Sequence, residues 1–427
     1  MRRAWLFFSF LIVAAAPCRG QAPQKLTLQE AEQIAVQNHP LIQAAAQLAS
    51  AASAQVQETR SSYYPQANGS LTGVEAENNS RVAAGFLNNP IIYDRFADGI
   101  AVNQLVTDFG RTHQLVKSSN LYAKAQQENV TATRADILLG VNRAYFNVLR
   151  AQAVLQVAEQ TVKSRQLVAD QTSALQKSSL KSGLDVSFAN VDLAQAQLLL
   201  IQAQNDVQAS FAELSSALGY EDQRMFQLAD EPLPPAPPAD VTPLLQEALQ
   251  NRPELIRQGL DVKAAQSYAT AERDLWFPTI SAAGATGLIP YRQDTLASRY
   301  AAAGFNVNIP IFNGKLFDAR HAEADSKAKA QQQYLRDLQD RIVRDVRTAW
   351  LNAGSAFQRL AVTDQLLSET TQAFDLAQSR YGLGLSSIVE LSQAQLNMTQ
   401  AEIAKVSSQY EFEGQIASLN YQLGRMQ

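Results

Sequence analysis

The chain is written twice. Gln37-Asn38-His39-Pro40 returns as Gln250-Asn251-Arg252-Pro253, and 25 residues beyond each proline stands the proline of an aromatic–proline pair, Tyr64-Pro65 and Phe277-Pro278. Further on, Ala144-Tyr145-Phe146 matches Ala349-Trp350-Leu351 and Leu218-Gly219 matches Leu423-Gly424, both at an offset of 205. A repeat of about 200 residues is one structural unit used twice, so any fold open to the first half must also suit the second. Each unit reads as helix, two short strands, one very long helix and a helix of medium length.

The helical segments carry explicit start and stop signals. Thr27-Leu28-Gln29-Glu30 is a capping-box pattern opening a helix that runs to Asn38. Pro40 begins a second helix of about 23 residues to Ser62, stopped by Tyr63-Tyr64-Pro65. No proline interrupts residues 111–178 or 315–380; at 1.5 Å per residue each stretch makes a rod roughly 100 Å long. Ile137, Val141, Ala144, Val148 and Ala151 keep a stripe of small apolar residues along the first rod, and such rods require equally long neighbours, as in a coiled-coil array. The medium helices, 185–218 and 388–423, reach roughly 50 Å each. Joined end to end with the 23-residue helix they match one rod, so each unit supplies one continuous and one broken rod.

Between these helices the period falls to two. Gln66, Asn68, Ser70 and Thr72 alternate with Ala67, Gly69, Leu71 and Gly73, and Phe305, Val307, Ile309 and Ile311 alternate with Asn306, Asn308 and Pro310. Weaker partner strands fall near 95–107 and 278–288, giving strands near 65–75, 95–107, 278–288 and 300–312. Alternation of this kind suits a barrel strand facing lipid on one side, and equally a hairpin packed on helices. Tyr63, Tyr64, Trp276 and Phe277 stand where a membrane-interface aromatic girdle would lie. Four strands cannot close a barrel, and lipid does not tolerate an open sheet edge. Strands in a membrane would therefore require several chains to share one barrel, at least a dimer by the eight-strand minimum.

Composition narrows the function. A net charge of -4 and a pI near 5.6 argue against a nucleic-acid partner. Met1-Arg2-Arg3, an apolar run to Ala16 and small residues to Ala22 form a signal peptide over 1–22. Cys18, the only cysteine, could instead be the acylated residue of a lipoprotein, though Ala15-Ala16-Pro17 is a poor lipobox. Beyond the leader no stretch approaches the ~20 consecutive apolar residues of a spanning helix. His39, His113 and His321 lack metal-ligand spacing, and no motif sets a nucleophile beside a base. Gly382-Leu383-Gly384 lacks the context of a phosphate loop. No cofactor, metal or enzymatic activity is expected. The Arg/Asp alternation over 336–347 reads as an ion-pair face, and Tyr145 and Trp350 as inter-helix packing.

In its motifs the chain resembles the TolC-like outer-membrane factor family. The first copy carries Leu-Thr-Leu-Gln-Glu-Ala (26–31), Asn-His-Pro (38–40), Asp-Phe-Gly-Arg (108–111) and Ser-Gly-Leu-Asp-Val (182–186). The second carries Asn-Arg-Pro (251–253), Pro-Ile-Phe-Asn-Gly (310–314) and Arg-Tyr-Gly-Leu-Gly (380–384). The resemblance implies a mainly α protein with a transmembrane β part. Three copies would form a twelve-stranded barrel in outer-membrane lipid, continued by a periplasmic helical tunnel. It implies a passive exit duct of a tripartite efflux or type I secretion system, partnered by a periplasmic adaptor and an inner-membrane pump.

The resemblance also assigns a periplasmic gate. It puts the tyrosine, glycine and acidic position of the tip on Tyr381, Gly384 and Glu390, with Asp185 as the first-repeat acid. The second acidic ring of some relatives falls on Gln393 and the tip arginine on Ser386, both departures, and the first-repeat glycine is replaced by Ser179. Asp185 could equally cap a helix starting at Val186, and Glu390 could belong to a capping box from Ser387. The chain divides into the leader 1–22, a first repeat 23–230, a Pro-rich strap 231–243 and a second repeat 244–427. Pro65 to Gly110 is nine residues longer than Pro278 to Gly314, which assigns the extra segment 78–89 to an extracellular loop. The alternative reading is a secreted periplasmic coiled-coil scaffold or adaptor without a pore.

Overall fold

The computed structural model describes residues 25–77, 80 and 91–426. The expected leader 1–22 with Cys18, and all of the loop segment 78–89 except residue 80, lie outside the described residues. The elements run β1 (Lys25–Leu26), α1 (Leu28–Asn38), α2 (Pro40–Arg60), β2 (Gln66–Val74), β3 (Arg95–Thr107), α3 (Arg111–Lys177), α4 (Gly183–Ala217), β4 (Gln227–Leu228), α5 (Thr242–Asn251), α6 (Pro253–Arg273), β5 (Thr279–Arg292), β6 (Arg299–Asn308), α7 (Leu316–Gly382) and α8 (Ile388–Gln422). The duplication is strict in the helices: α2 and α6 both have 21 residues, α3 and α7 both 67, α4 and α8 both 35. The strands have drifted, with 9 and 13 residues in the first repeat against 14 and 10 in the second.

Local chemistry explains these bounds. Thr27 and Glu30 form a reciprocal capping box at α1, and Pro40 and Pro253 open α2 and α6, where their missing N–H costs nothing. The α2 helix stops at Arg60, two residues before the expected Ser62, because Ser61–Tyr63 tightens into a 3₁₀ turn. Asp274–Trp276 does the same in the second repeat. Tyr64 and Phe277 are then extended, as residues preceding proline must be.

The strands form one antiparallel sheet, β2-β3-β5-β6. Two strand bounds differ from expectation. β5 runs on to Arg292 rather than 288, and β6 ends at Asn308, so Ile309 and Ile311 lie beyond it; Pro310 has no N–H to extend the ladder. Each β2 residue from Gln66 to Gly73 is exposed, and so is all of β6. A hairpin packed on helices would bury alternate residues. Among the described residues no layer covers β2 or β6, and their outer edges pair with no other strand.

The helical body is layered around α3. This rod packs on α2 and α4 along its length and on α6 and α8 across the repeat boundary, while α7 packs on α6 and α8. Two hydrophobic cores sit at repeat-related positions: Val141, Ala144, Leu214 and Leu218 in one, Val346, Ala349, Leu419 and Leu423 in the other. The paired sequence motifs turn out to be one contact made twice. Gly219 (φ +79°) ends the α4 segment where its α-carbon backs onto Asn38 and His39, and Gly424 (φ +72°) ends α8 against Asn251 and Arg252. A Cβ would meet backbone at about 3.0 Å in the first case and 2.9 Å in the second.

Tyr145 and Trp350 do more than pack between helices. The Tyr145 hydroxyl lies 2.9 Å from Leu26 O and 2.6 Å from Ala229 O, sharing its proton between the chains of the parallel β1–β4 pair. Trp350 Nε1 donates to Pro238 O at 2.7 Å. The same repeat position thus holds the chain just before the Pro-rich strap in one case and within it in the other. Its last residues, Thr242 and Pro243, are already the first turn of α5. The Arg/Asp stretch forms Arg341–Asp337 and Arg344–Asp345 ion pairs on α7.

One described helix, α4, is long and apolar enough by composition to cross a membrane, and little of it is buried. Leu184, Phe188, Val191 and Leu198 are exposed along it at coiled-coil spacing. On α7, Leu351, Val362, Leu366 and Leu376 are exposed on one face in the same way. Both helices present an apolar face that the described residues leave uncovered.

Candidate functional site

The structure brings the predicted tip residues together. The α3–α4 turn and the α7–α8 turn are neighbours, joined by Val168, Ala169, Ala189, Tyr381, Ile388 and Leu391. Gly384 ends the α7 turn at φ +72°, and Ser179, its first-repeat equivalent, holds the same left-handed conformation at φ +60°. The carbonyls before them are closed by matching bonds, Leu180 N to Leu175 O and Leu385 N to Arg380 O. The turn is therefore conserved between repeats in backbone although the glycine is not.

The two acids behave differently. Asp185 does not cap a helix starting at Val186; α4 begins at Gly183, with Ser182 as N-cap and Asp185 at the third position. Its carboxylate accepts from Ser182 Oγ at 2.7 Å and Ser182 N at 2.9 Å, and these bonds hold its pKa below the usual carboxylate range. At Glu390 only half of the expected capping box forms. Ser387 Oγ accepts from Glu390 N, but the carboxylate turns instead to Arg380 Nε at 3.2 Å. The position equivalent to Arg380 is Leu175, which offers Asp185 no such partner. Glu390 is exposed and Asp185 is half-buried.

Tyr381 is 8% exposed and its hydroxyl has no hydrogen-bond partner. Lys181 Nζ sits 3.7 Å above its ring centre, a cation–π contact. Ser386 has a buried hydroxyl without a partner, and Gln393 is exposed, donating to Asn397 on its own helix at 2.9 Å. Lys181 was missed by sequence reasoning, yet the offset of 205 aligns it with Ser386. The cation absent from one turn is supplied by the same position of the other. A second tie, Ser392 Oγ to Asp192 at 2.5 Å, joins α8 to α4 just behind.

At the opposite end of the helical body, Tyr63 and Trp276 occupy the 3₁₀ turns and Tyr64 and Phe277 the following residues, all exposed. Phe277 lies 6.3 Å from Phe109, and Trp276 meets Phe317 edge-on at 5.5 Å. Phe109, Ile311 and Phe312 are also exposed here, so the aromatic zone at the foot of the sheet is wider than the four residues read from the sequence. Of the histidines, His39 caps α2 by accepting from Leu41 N, and His321 faces Ala269 O. Among the described residues no cluster of His, Cys, Asp or Glu could hold a metal.

Comparison with known proteins bears on the family and the fold. A family profile described as outer membrane efflux protein matches residues 32–220 and 244–425, one match per repeat. The chain is 23% identical over 320 residues to the pyoverdine export outer membrane protein OpmQ of Pseudomonas aeruginosa, covering 73% of this chain and 66% of that one. It is 21% identical over 339 residues to the outer membrane protein TolC of Escherichia coli, covering 74% and 69%. These alignments thus span about two thirds of the relatives' own length. A crystal structure of CusC superimposes with a TM-score of 0.82 at 20% identity over 93% of this chain and 92% of that one.

Proposed function

This chain belongs to the outer membrane efflux protein family, an outer-membrane channel fold whose helices extend into the periplasm, and on that premise we propose that it is the exit duct of a tripartite efflux or type I secretion system. Three protomers pool their sheets into a twelve-stranded barrel and seal the apolar seams of α4 and α7 against one another. A periplasmic adaptor and an inner-membrane pump supply the cargo and the energy, and the duct itself is passive. The observation that carries this reading is the uncovered sheet with two free edges, since a soluble scaffold would leave those N–H and C=O groups and the apolar strand faces in water without purpose.

The helical tip is the gate. Asp185 and Glu390 line the entrance, Tyr381 under Lys181 clasps the two turns, and the departures at Ser386 and Gln393 leave this entrance with a single acidic tier. Tyr63, Tyr64, Trp276 and Phe277 mark the membrane interface. Fractionation tests the assignment: the protein should stay in outer membranes through a high-salt wash and run as a trimer in mild detergent. Release into the wash as a monomer rejects the duct in favour of the scaffold. In planar bilayers the Asp185→Asn, Glu390→Gln pair should lose cation preference; unchanged selectivity removes both acids from the entrance.

A further inference from the structure

Some 12 residues behind the tip, about 18 Å along α3, a cavity of about 160 Å³ opens between α3, α7 and α8. Its walls include Arg165 from α3, Phe374 from α7, and Gln395, Met398 and Glu402 from α8. Arg165 is 7% exposed and its Nη1 has no hydrogen-bond partner. Gln395 is 5% exposed and its Nε2 likewise has none. Two buried donors, one of them charged, thus border the same small space with nothing to accept from them.

The neighbouring carboxyls do not answer the charge. Arg165 forms no ion pair among the described residues. Asp192 favours its charge from a distance but already accepts the short bond from Ser392. Glu402, on the opposite wall, has its pKa raised by burial and forms no ion pair with Arg165. The hydroxyls of Thr161 and Thr399 donate to backbone carbonyls of their own helices. A guanidinium left in this state is destabilising, because burial strips its water without providing a counter-ion. What the cavity requires is a small acceptor carrying negative charge. The planar fork of an arginine favours an oxyanion in which two oxygens accept together.

We propose that this cavity is a binding site for a small oxyanion, of the carboxylate or phosphate class, held by Arg165 from α3 and Gln395 from α8. Bound there, the anion ties the α3–α4 pair to the α7–α8 pair behind the tip. The site stands on one protomer's own residues and does not depend on the duct assignment.

The test uses the full-length protein in detergent, exchanged into a buffer free of small oxyanions, with acetate and inorganic phosphate as the probes. Acetate or phosphate should raise the melting temperature of the native protein saturably, where equal ionic strength of chloride does not. Arg165→Met should abolish the response and Gln395→Leu should weaken it about tenfold or more in half-saturating concentration. Without oxyanion, Arg165→Met should melt no lower than native, since it removes an uncompensated buried charge. An equal acetate response in native and Arg165→Met protein, or no response in native protein, overturns the site. The latter outcome would mean that water, or a carboxylate from a second copy, fills the cavity. If Arg165→Met fails to fold, Gln395→Leu and the chloride control decide alone.

Discussion

The two hairpin turns at the tip share one backbone and almost no side-chain chemistry. In the first, the Asp185 carboxylate folds back on Ser182. In the second, Glu390 reaches across to Arg380, and Tyr381 receives Lys181 from its neighbour. The difference shows what duplication preserves. Helix lengths and left-handed turns are set by local backbone preference and survive in both copies. Side chains that meet across copies are free to diverge, because each position now has a distinct environment. The asymmetric residues are therefore where function should be sought.

The comparison can be broken most forcefully in the cores. Leu214→Ala and Leu419→Ala remove equivalent, nearly inaccessible side chains from the two repeats. Each should cost about 2–5 kcal/mol, and the pair should agree within about 1 kcal/mol in thermal or denaturant unfolding if the repeats are mechanically equivalent. A large disparity would show that one half carries the stability of both.

Glu413 gives the next test. It is 3% exposed, and burial, reinforced by Asp230 and Glu231, pushes its carboxyl up to about 7. Its first-repeat equivalent is the neutral Gln208. A carboxyl whose folded pKa is raised favours the folded state while protonated. Stability should therefore fall as pH rises from about 4.5 through about 7, by up to ~3 kcal/mol. Glu413→Gln should make the second repeat resemble the first and flatten that pH dependence. A native protein with no slope over this range would show the carboxyl to be solvated.

The smallest expected effect sharpens the turn comparison. Ser179 holds a conformation that suits glycine, so Ser179→Gly should stabilise by about 0.5–1 kcal/mol and Gly384→Ser should destabilise by a similar amount. Melting temperatures of the two single variants, moving in opposite directions, would establish that one turn geometry serves both copies.

Much of the fold was legible because its signals are contiguous. Thr27 and Glu30 announce α1, Pro40 and Pro253 open their helices, and Gly110 and Gly314 precede the long proline-free stretches that hold α3 and α7. The strands were less legible. Ile309 and Ile311 continue the alternation of β6, but pairing stops at Asn308, where the partner strand begins at Thr279. At the candidate site Tyr381 and Glu390 were assigned from the family resemblance and Asp185 from its repeat offset to Glu390, whereas their partners were not legible. Nothing local to Lys181 says that it lies over Tyr381, and nothing around Arg165 or Gln395 says that both border one cavity.

The sequence by itself determined that this protein is one unit built twice, with long rods, short strands and glycine-compatible turns at set places. Those features follow from period, capping and proline, which act within a few residues. Only the tertiary structure decided which carboxylate folds back and which reaches across, what Tyr145 and Trp350 hold, and that the outer strands β2 and β6 stay exposed. Those outcomes depend on contacts between residues up to about 200 positions apart, such as Lys181 with Tyr381 and Asp192 with Ser392. Such contacts exist only once the rods have settled side by side.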